Sequence, residues 1–169
     1  IFTTQTPTDY GNDNYYELGT RFKVKKDGYI TKARLYTGPN ESGIHKVTLW
    51  DYSKKTVVAG PYEWDVQSGI TGWQEYTFSS PVAVIENTDY VIAISTGPNK
   101  YYSKGTDGGN SLATAITSGD LVTYASSGLW FRGSNTMPYN AVTTNYFRDI
   151  VFVIDKADRS ELEDNIDLY

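Results

Sequence analysis

Two short stretches carry the side chains best suited to holding a sugar. Tyr101 and Tyr102 stand in residues 97–110 (GPNKYYSKGTDGGN), beside Asn99, Lys104, Asp107 and Asn110. Trp130 stands with Arg132, Asn135 and Tyr139 in a Gly/Ser/Asn-rich stretch. Sugar rings present flat C–H faces that pack on aromatic rings, and their hydroxyls want polar partners. Loops are where such contacts concentrate. The competing reading is structural. Adjacent residues of a strand point to opposite faces, so one of Tyr101 and Tyr102 belongs to packing.

A third cluster is made of oxygens. Asp9, Asn12, Asp13, Asn14 and Glu17 crowd the start of the chain (DYGNDNYYE). Hard cations such as Ca²⁺ take six to eight oxygen ligands from such groups. The spacing does not match the helix–loop–helix calcium motif. A solvated turn is the competing reading, because Asp and Asn are ordinary turn formers.

Catalysis finds little to work with. There is no Cys, and His45 is the single His. This excludes thiol nucleophiles, disulfides, Cys-ligated zinc and any site needing two imidazoles. Gly105, Gly108 and Gly109 give a flexible loop rather than a phosphate cradle, since no helix follows them. The chain is read as a non-enzyme with no catalytic residue.

The elements that position these groups read as β. Aromatics make up 15% of the 169 residues, with 15 Tyr, 4 Trp and 6 Phe, so a core is available. Residues 29–36 (YITKARLY) alternate, with Ala33 and Leu35 on one face and Lys32 and Arg34 on the other. Asp27-Gly28 before them is a tight-turn signal. Further strands are expected at 15–24, 45–52, 56–64, 72–78, 81–84, 89–95 and 146–154. Residues 89–95 (DYVIAIS) are apolar on both faces and belong centrally. Residues 121–124 and 129–131 read as a hairpin. Short strands separated by turn clusters indicate a sandwich or barrel. Trp50 and Trp73 fall in strands and read as core or rim. Trp64, next to a turn, reads as core, with an exposed platform as the alternative.

The net charge of −5 is unevenly placed. Residues 155–169 hold six acids and two bases, and the rest of the chain holds 14 acids and 13 bases. The body is nearly neutral and has no basic stripe for nucleic acid. No run approaches the roughly 18 apolar residues of a membrane span. In the tail, Asp158 and Glu161 have capping-box spacing, and Leu162, Ile166 and Tyr169 follow at helical spacing. Residues 1–154 are therefore expected to be one β-sandwich module, and 155–169 a linker entering a short helix. A chain that starts at Ile1 is read as a segment of a longer precursor.

The order of the strand motifs resembles the domain-of-unknown-function 4082 family, a bacterial extracellular jelly-roll-like module. The carrying residues are Glu17-Leu18-Gly19 with Arg21-Phe22, Gly28-Tyr29-Ile30 leading to Arg34-Leu35-Tyr36, and Gly43-Ile44-His45 with Leu49-Trp50. Gly72-Trp73-Gln74 with Phe78 and Pro81-Val82 continue the order, followed by Thr88-Asp89-Tyr90-Val91. Asn145-Tyr146-Phe147 with Asp149 and Val151-Phe152 closes it. The resemblance covers about residues 15–154. Arg148 departs from it, standing where the family commonly has an apolar residue.

The resemblance implies an all-β, antiparallel jelly-roll-like sandwich in a secreted or cell-surface protein, of the kind found in Gram-positive bacteria. Its partners would be neighbouring domains of the same chain and a glycan, and the module would be a monomer without membrane insertion. Jelly-roll binding modules often hold a structural Ca²⁺ between first and last strands, which would join Asp149 to Asp13 and Glu17. The expected function is non-catalytic carbohydrate binding through Tyr101, Tyr102, Lys104, Asp107, Asn110, Trp130 and Arg132. The alternative is a structural or adhesive spacer that binds protein, or nothing.

Overall fold

The computed structural model describes residues 1–155. The predicted helical tail lies outside the described residues, apart from Asp155. The body is β throughout, with strands β1 (Asp9–Gly11), β2 (Tyr16–Val24), β3 (Gly28–Thr37), β4 (Gly43–Asp51), β5 (Thr56–Val66), β6 (Gly72–Val84) and β7 (Asp89–Ser95) in its first half. The second half adds β8 (Tyr102–Lys104), β9 (Thr117–Ser118), β10 (Leu121–Val122), β11 (Gly128–Arg132), β12 (Asn140–Val142) and β13 (Arg148–Ile154). A 3₁₀ turn covers Gly108–Asn110. No described helix is long and apolar enough to cross a membrane.

Two antiparallel sheets face each other. The larger runs β12-β11-β2-β7-β4-β5, with β10 and β9 added beside β2. The smaller runs β13-β3-β6. A ribbon of β1 and β8 lies apart from both. Alternation builds the core between the sheets: Ile30, Ala33 and Leu35 from β3 meet Phe22, Val47, Leu49, Ile92 and Ile94 from the larger sheet, with Ile150 from β13. Strand β7 is the central case. Ile92 and Ile94 point inward, while Val91 and Ala93 join Leu129 and Met137 on the outer face. This is why residues 89–95 read as apolar on both faces. Trp64 is 8% exposed and belongs to the core, so the platform alternative does not hold.

Three local readings change. The strands expected at 72–78 and 81–84 are one strand, β6, which stays paired with β3 across a register shift between Ile30 and Lys32. Pro81 is tolerated because β6 is an edge strand and its ladder needs no donor there. The predicted hairpin does not form. Strands β10 and β11 lie end to end along β2, pairing Leu121 with Val24 and Trp130 with Leu18. The long free edge of β2 offers backbone partners to both. Gly28 does not serve a positive-φ turn. It opens β3, where a Cβ would stand 2.2 Å from the Val153 carbonyl oxygen. The glycine allows β13 to approach.

Candidate functional site

The two aromatic stretches singled out by sequence meet at one end of the sandwich. Strand β8 carries Tyr102, and pairing with β1 sets Tyr102 opposite Gly11. Any side chain at Gly11 would strike the ring, with Cβ 2.2 Å from Tyr102 Cζ. Strand β11 carries Trp130, held beside Leu18 of β2. Tyr16, two residues before Leu18 on the same face of β2, joins them. Its ring lies edge-on to both, with centroids 5.7 Å from Tyr102 at 84° and 6.0 Å from Trp130 at 88°. Tyr146 packs against Tyr102 at 6.1 Å. Together with Leu18 these four rings enclose a cavity of ≈ 110 Å³.

Asp13 holds the cluster at its rim. Its carboxylate accepts from the Tyr16 hydroxyl at 2.7 Å and from the Tyr102 hydroxyl at 2.8 Å. Asn14 Nδ2 adds a third donor at 3.2 Å. Chiefly through the Tyr16 hydrogen bond, the Asp13 carboxyl is lowered to about 2. Burial, with Asp13 second, pushes the Tyr102 phenol up. Burial likewise raises Tyr146 to about 12. Burial raises the Tyr16 phenol too, so all three rings are neutral hydroxyl bearers at any ordinary pH.

Tyr16 is also the wall of a larger groove of ≈ 590 Å³ lined by Tyr15, Ile44, Lys46, Pro98 and Ser134 among others. Tyr15 is 52% exposed, and Lys100 Nζ sits 4.9 Å above its ring. Next to Tyr16 in β2 is Glu17, 4% exposed, which accepts the Asn135 N–H at 3.1 Å. Burial pushes its carboxyl up to about 7, against the pull of the Asn135 N–H and of Lys46 and Arg148.

On the other side of Tyr102 is a small pocket of ≈ 60 Å³ lined by Tyr10, Tyr101, Glu41 and residues 38–40. The adjacent tyrosines thus diverge: Tyr102 divides the two cavities and Tyr101 belongs to the small one only. Glu41 is buried with His45 and Arg148. Glu41 Oε1 is 3.3 Å from His45 Nε2 and 3.7 Å from Arg148 Nη2. Arg148 is fully buried, donating to the carbonyls of Ile94 at 3.2 Å and Tyr146 at 2.7 Å. This is how a charged residue occupies the position where the resemblance has an apolar one.

Of the remaining expected residues, Lys104, Asp107 and Asn110 do not line the aromatic cavity. Lys104 pairs with Asp9 at 3.1 Å on the outside of the β1–β8 ribbon. Asp107 accepts from Asn110 Nδ2 at 3.2 Å, and Asn110 Oδ1 accepts the Thr6 N–H at 2.9 Å. Those two pin the N-terminal segment and do not reach the aromatic cavity. Arg132 ends β11 opposite Tyr16 and is exposed.

Asp13, Glu17 and Asp149 do not fit a calcium ion. Asp149 is fully buried among donors: the Ile1 nitrogen at 2.8 Å, the Phe2 N–H at 3.0 Å, Arg34 Nη1 at 3.2 Å and its neighbour's N–H (Ile150) at 2.7 Å. Its lone pairs are spent, and a guanidinium stands beside it. Asp13 is committed to two phenols, and Glu17 faces Asn135. Among the described residues no three acids, His or Cys gather in a metal-holding group. Tyr16, Tyr146 and Glu41 were not singled out from sequence. Tyr16 had a signal, since it alternates with Leu18 at the head of an expected strand.

The fold and this end of it define a β-sandwich module with an aromatic-lined groove. Residues 3–148 match the family described as domain of unknown function (DUF4082), and the chain belongs to that family. No curated protein matches the chain.

Proposed function

We propose that this chain is a non-catalytic carbohydrate-binding module of a larger secreted or cell-surface bacterial protein. The observation that carries this reading is that Tyr16 lines both the groove and the aromatic cavity, which brings the two side by side at one end of the sandwich. Residues from β2, β8 and β11, far apart in sequence, converge there on one concave end. The groove is wide enough for a sugar unit, as ligand sites start at roughly 300 Å³. Tyr15 is about half exposed at the wall of the groove. Lys46 and Ser134 offer polar partners for hydroxyls.

A second reading, a spacer or adhesive domain, draws support from the packing of the rings themselves. Tyr16, Tyr102 and Trp130 lie edge-on to one another, so part of their surface is already used. Affinity gel electrophoresis of the module through soluble polysaccharides separates the two. Retardation by at least one polysaccharide, lost in Tyr15→Ala, is the expected result. Unretarded migration through every polysaccharide tried leaves the spacer reading.

A further inference from the structure

The groove beside Tyr16 gathers cations that have no acid to meet. Lys46 lines it, and its Nζ reaches Asn135 Oδ1 at the long distance of 3.5 Å. An ammonium has three donors, so most of its capacity is unspent. Glu63 stands opposite Lys46 in the β4–β5 ladder, yet Lys46 extends instead to Asn135, the neighbour of groove-lining Ser134. Lys100 Nζ stands over the ring of Tyr15, which also lines the groove. Arg132, exposed, ends β11 opposite Tyr16. Among the described residues none of these three cations makes an ion pair.

The acids nearby leave this charge in place. Asp13 turns its oxygens to the Tyr16 and Tyr102 hydroxyls. Glu17 is buried, and its carboxyl, pushed up by burial to about 7, is mostly protonated at mildly acidic pH. Asp65, opposite Ile44 in the ladder, lines a separate pocket with Gln67 and Ser68.

We infer that the groove takes a uronate polymer, a polysaccharide with a carboxylate on its sugar rings, and that Lys46 meets that carboxylate. The inference rests on the glycan reading above and names the sugar class. A uronate unit has the two parts that these walls suit: C–H faces that pack on an aromatic ring, and one negative charge. Tyr15 supplies the ring, held in place by its hydroxyl, which donates to the Pro98 carbonyl at 3.2 Å. Ile44 and Pro98 add apolar wall. A polyphosphate brings charge without C–H faces and leaves that wall unused. A neutral polysaccharide gains nothing from the unpaired cations, and an amino sugar is repelled by them. Densely sulfated polymers suit forked guanidinium clusters, whereas a lysine is a point charge that meets one carboxylate.

Titration calorimetry on the intact 169-residue chain tests this. Polygalacturonate, alginate and hyaluronan are each compared with their own methyl ester, which keeps the ring and removes the charge. The buffer is mildly acidic and low in salt. At least one uronate is expected to bind roughly tenfold or more tightly than its ester, and to lose that advantage as salt is raised. Lys46→Gln should reduce the ratio to within about twofold while the unfolding midpoint holds, since the side chain is partly exposed. Full discrimination surviving in Lys46→Gln overturns the inference, and Lys100→Gln decides in the same way if that variant fails to fold. Dextran sulfate bound more tightly than every uronate overturns it too, because charge alone would then explain the binding. Esters that bind as well as the acids, or retention by neutral polysaccharides alone, overturn the uronate class and leave the glycan reading standing. Binding to none of these polymers, charged or neutral, overturns the inference together with the reading on which it rests.

Discussion

The Tyr102 hydroxyl donates to Asp13 Oδ1 at 2.8 Å across 89 positions of sequence. The same carboxylate takes the Tyr16 hydroxyl on its other oxygen, at 2.7 Å. One acidic side chain in the β1–β2 turn therefore ties the β1–β8 ribbon to the start of β2 in the larger sheet. The rings it holds are those that line the aromatic cavity.

Removing either end of that link should loosen the site more than the fold. Hydrogen bonds to a charged group contribute about 1.5–3 kcal/mol when shielded. Asp13 is exposed, so about 1 kcal/mol is the expected coupling between Asp13→Ala and Tyr102→Phe. A double-mutant cycle on urea unfolding measures it. Strictly additive single effects would show that the link contributes nothing.

Tyr15→Ala separates binding from stability. The residue is 52% exposed, and surface changes of this kind stay within about 0.5 kcal/mol. Glycan retention should fall severalfold while the unfolding midpoint holds. Retention unchanged alongside an intact fold would move the contact surface away from the groove.

Arg148 makes the opposite kind of case. Deleting one partner of a buried ion pair leaves the other charge unmet, at a cost of about 3–5 kcal/mol. Arg148→Ala should therefore unfold the module far more readily, in part because Glu41 is left stranded. Arg148→Met combined with Glu41→Leu should recover most of that loss, since apolar replacements of buried pairs are often neutral. Urea midpoints for the single and the double variant check this. A double variant no more stable than Arg148→Ala would mean that the pair is needed for more than charge balance.

The sequence shows the strands because their signal is local. Ala33 and Leu35 against Lys32 and Arg34 is a period of two that survives any tertiary arrangement. The site is legible only in pieces. Tyr102 and Trp130 were singled out from separate loops, each for its ring. Nothing local says that β8 and β11 bring them to the same end of the sandwich. Asp13 was read as a metal ligand, because a carboxylate among Asn residues looks the same whether it waits for a cation or for two phenols. Glu41 gave no signal, since its partner Arg148 is on the last strand. Asp149 misled in the same way: its donors, Ile1, Phe2 and Arg34, lie at the other end of the chain.

Thermal unfolding with and without chelator follows from those partners. Asp149 already accepts four donors, so its oxygens have nothing left for a cation. Equal midpoints are expected. A midpoint several degrees higher with Ca²⁺ would point to oxygen ligands other than this triad.

Glu17 sets how stability follows pH. Its carboxyl stands at about 7 in the folded chain, against an ordinary 4.5, chiefly through burial. Between those two values the folded state keeps a proton that the unfolded state has lost. Stability from this group is therefore greatest at and below pH 4.5, and it falls as pH rises toward 7. At 1.36 kcal/mol per unit the decline is on the order of 3 kcal/mol. Asp13 acts in the other direction and lower down. Its carboxyl is held at about 2, so its contribution is present above 3.8 and is lost as pH falls through 2. Its exposure keeps that contribution small. The maximum should lie near pH 4–5 as far as these two groups decide it. Urea unfolding of the native chain should then show a lower midpoint at pH 8 than at pH 5, and Glu17→Gln should remove most of the difference. An equal difference in that variant would assign the slope to another group.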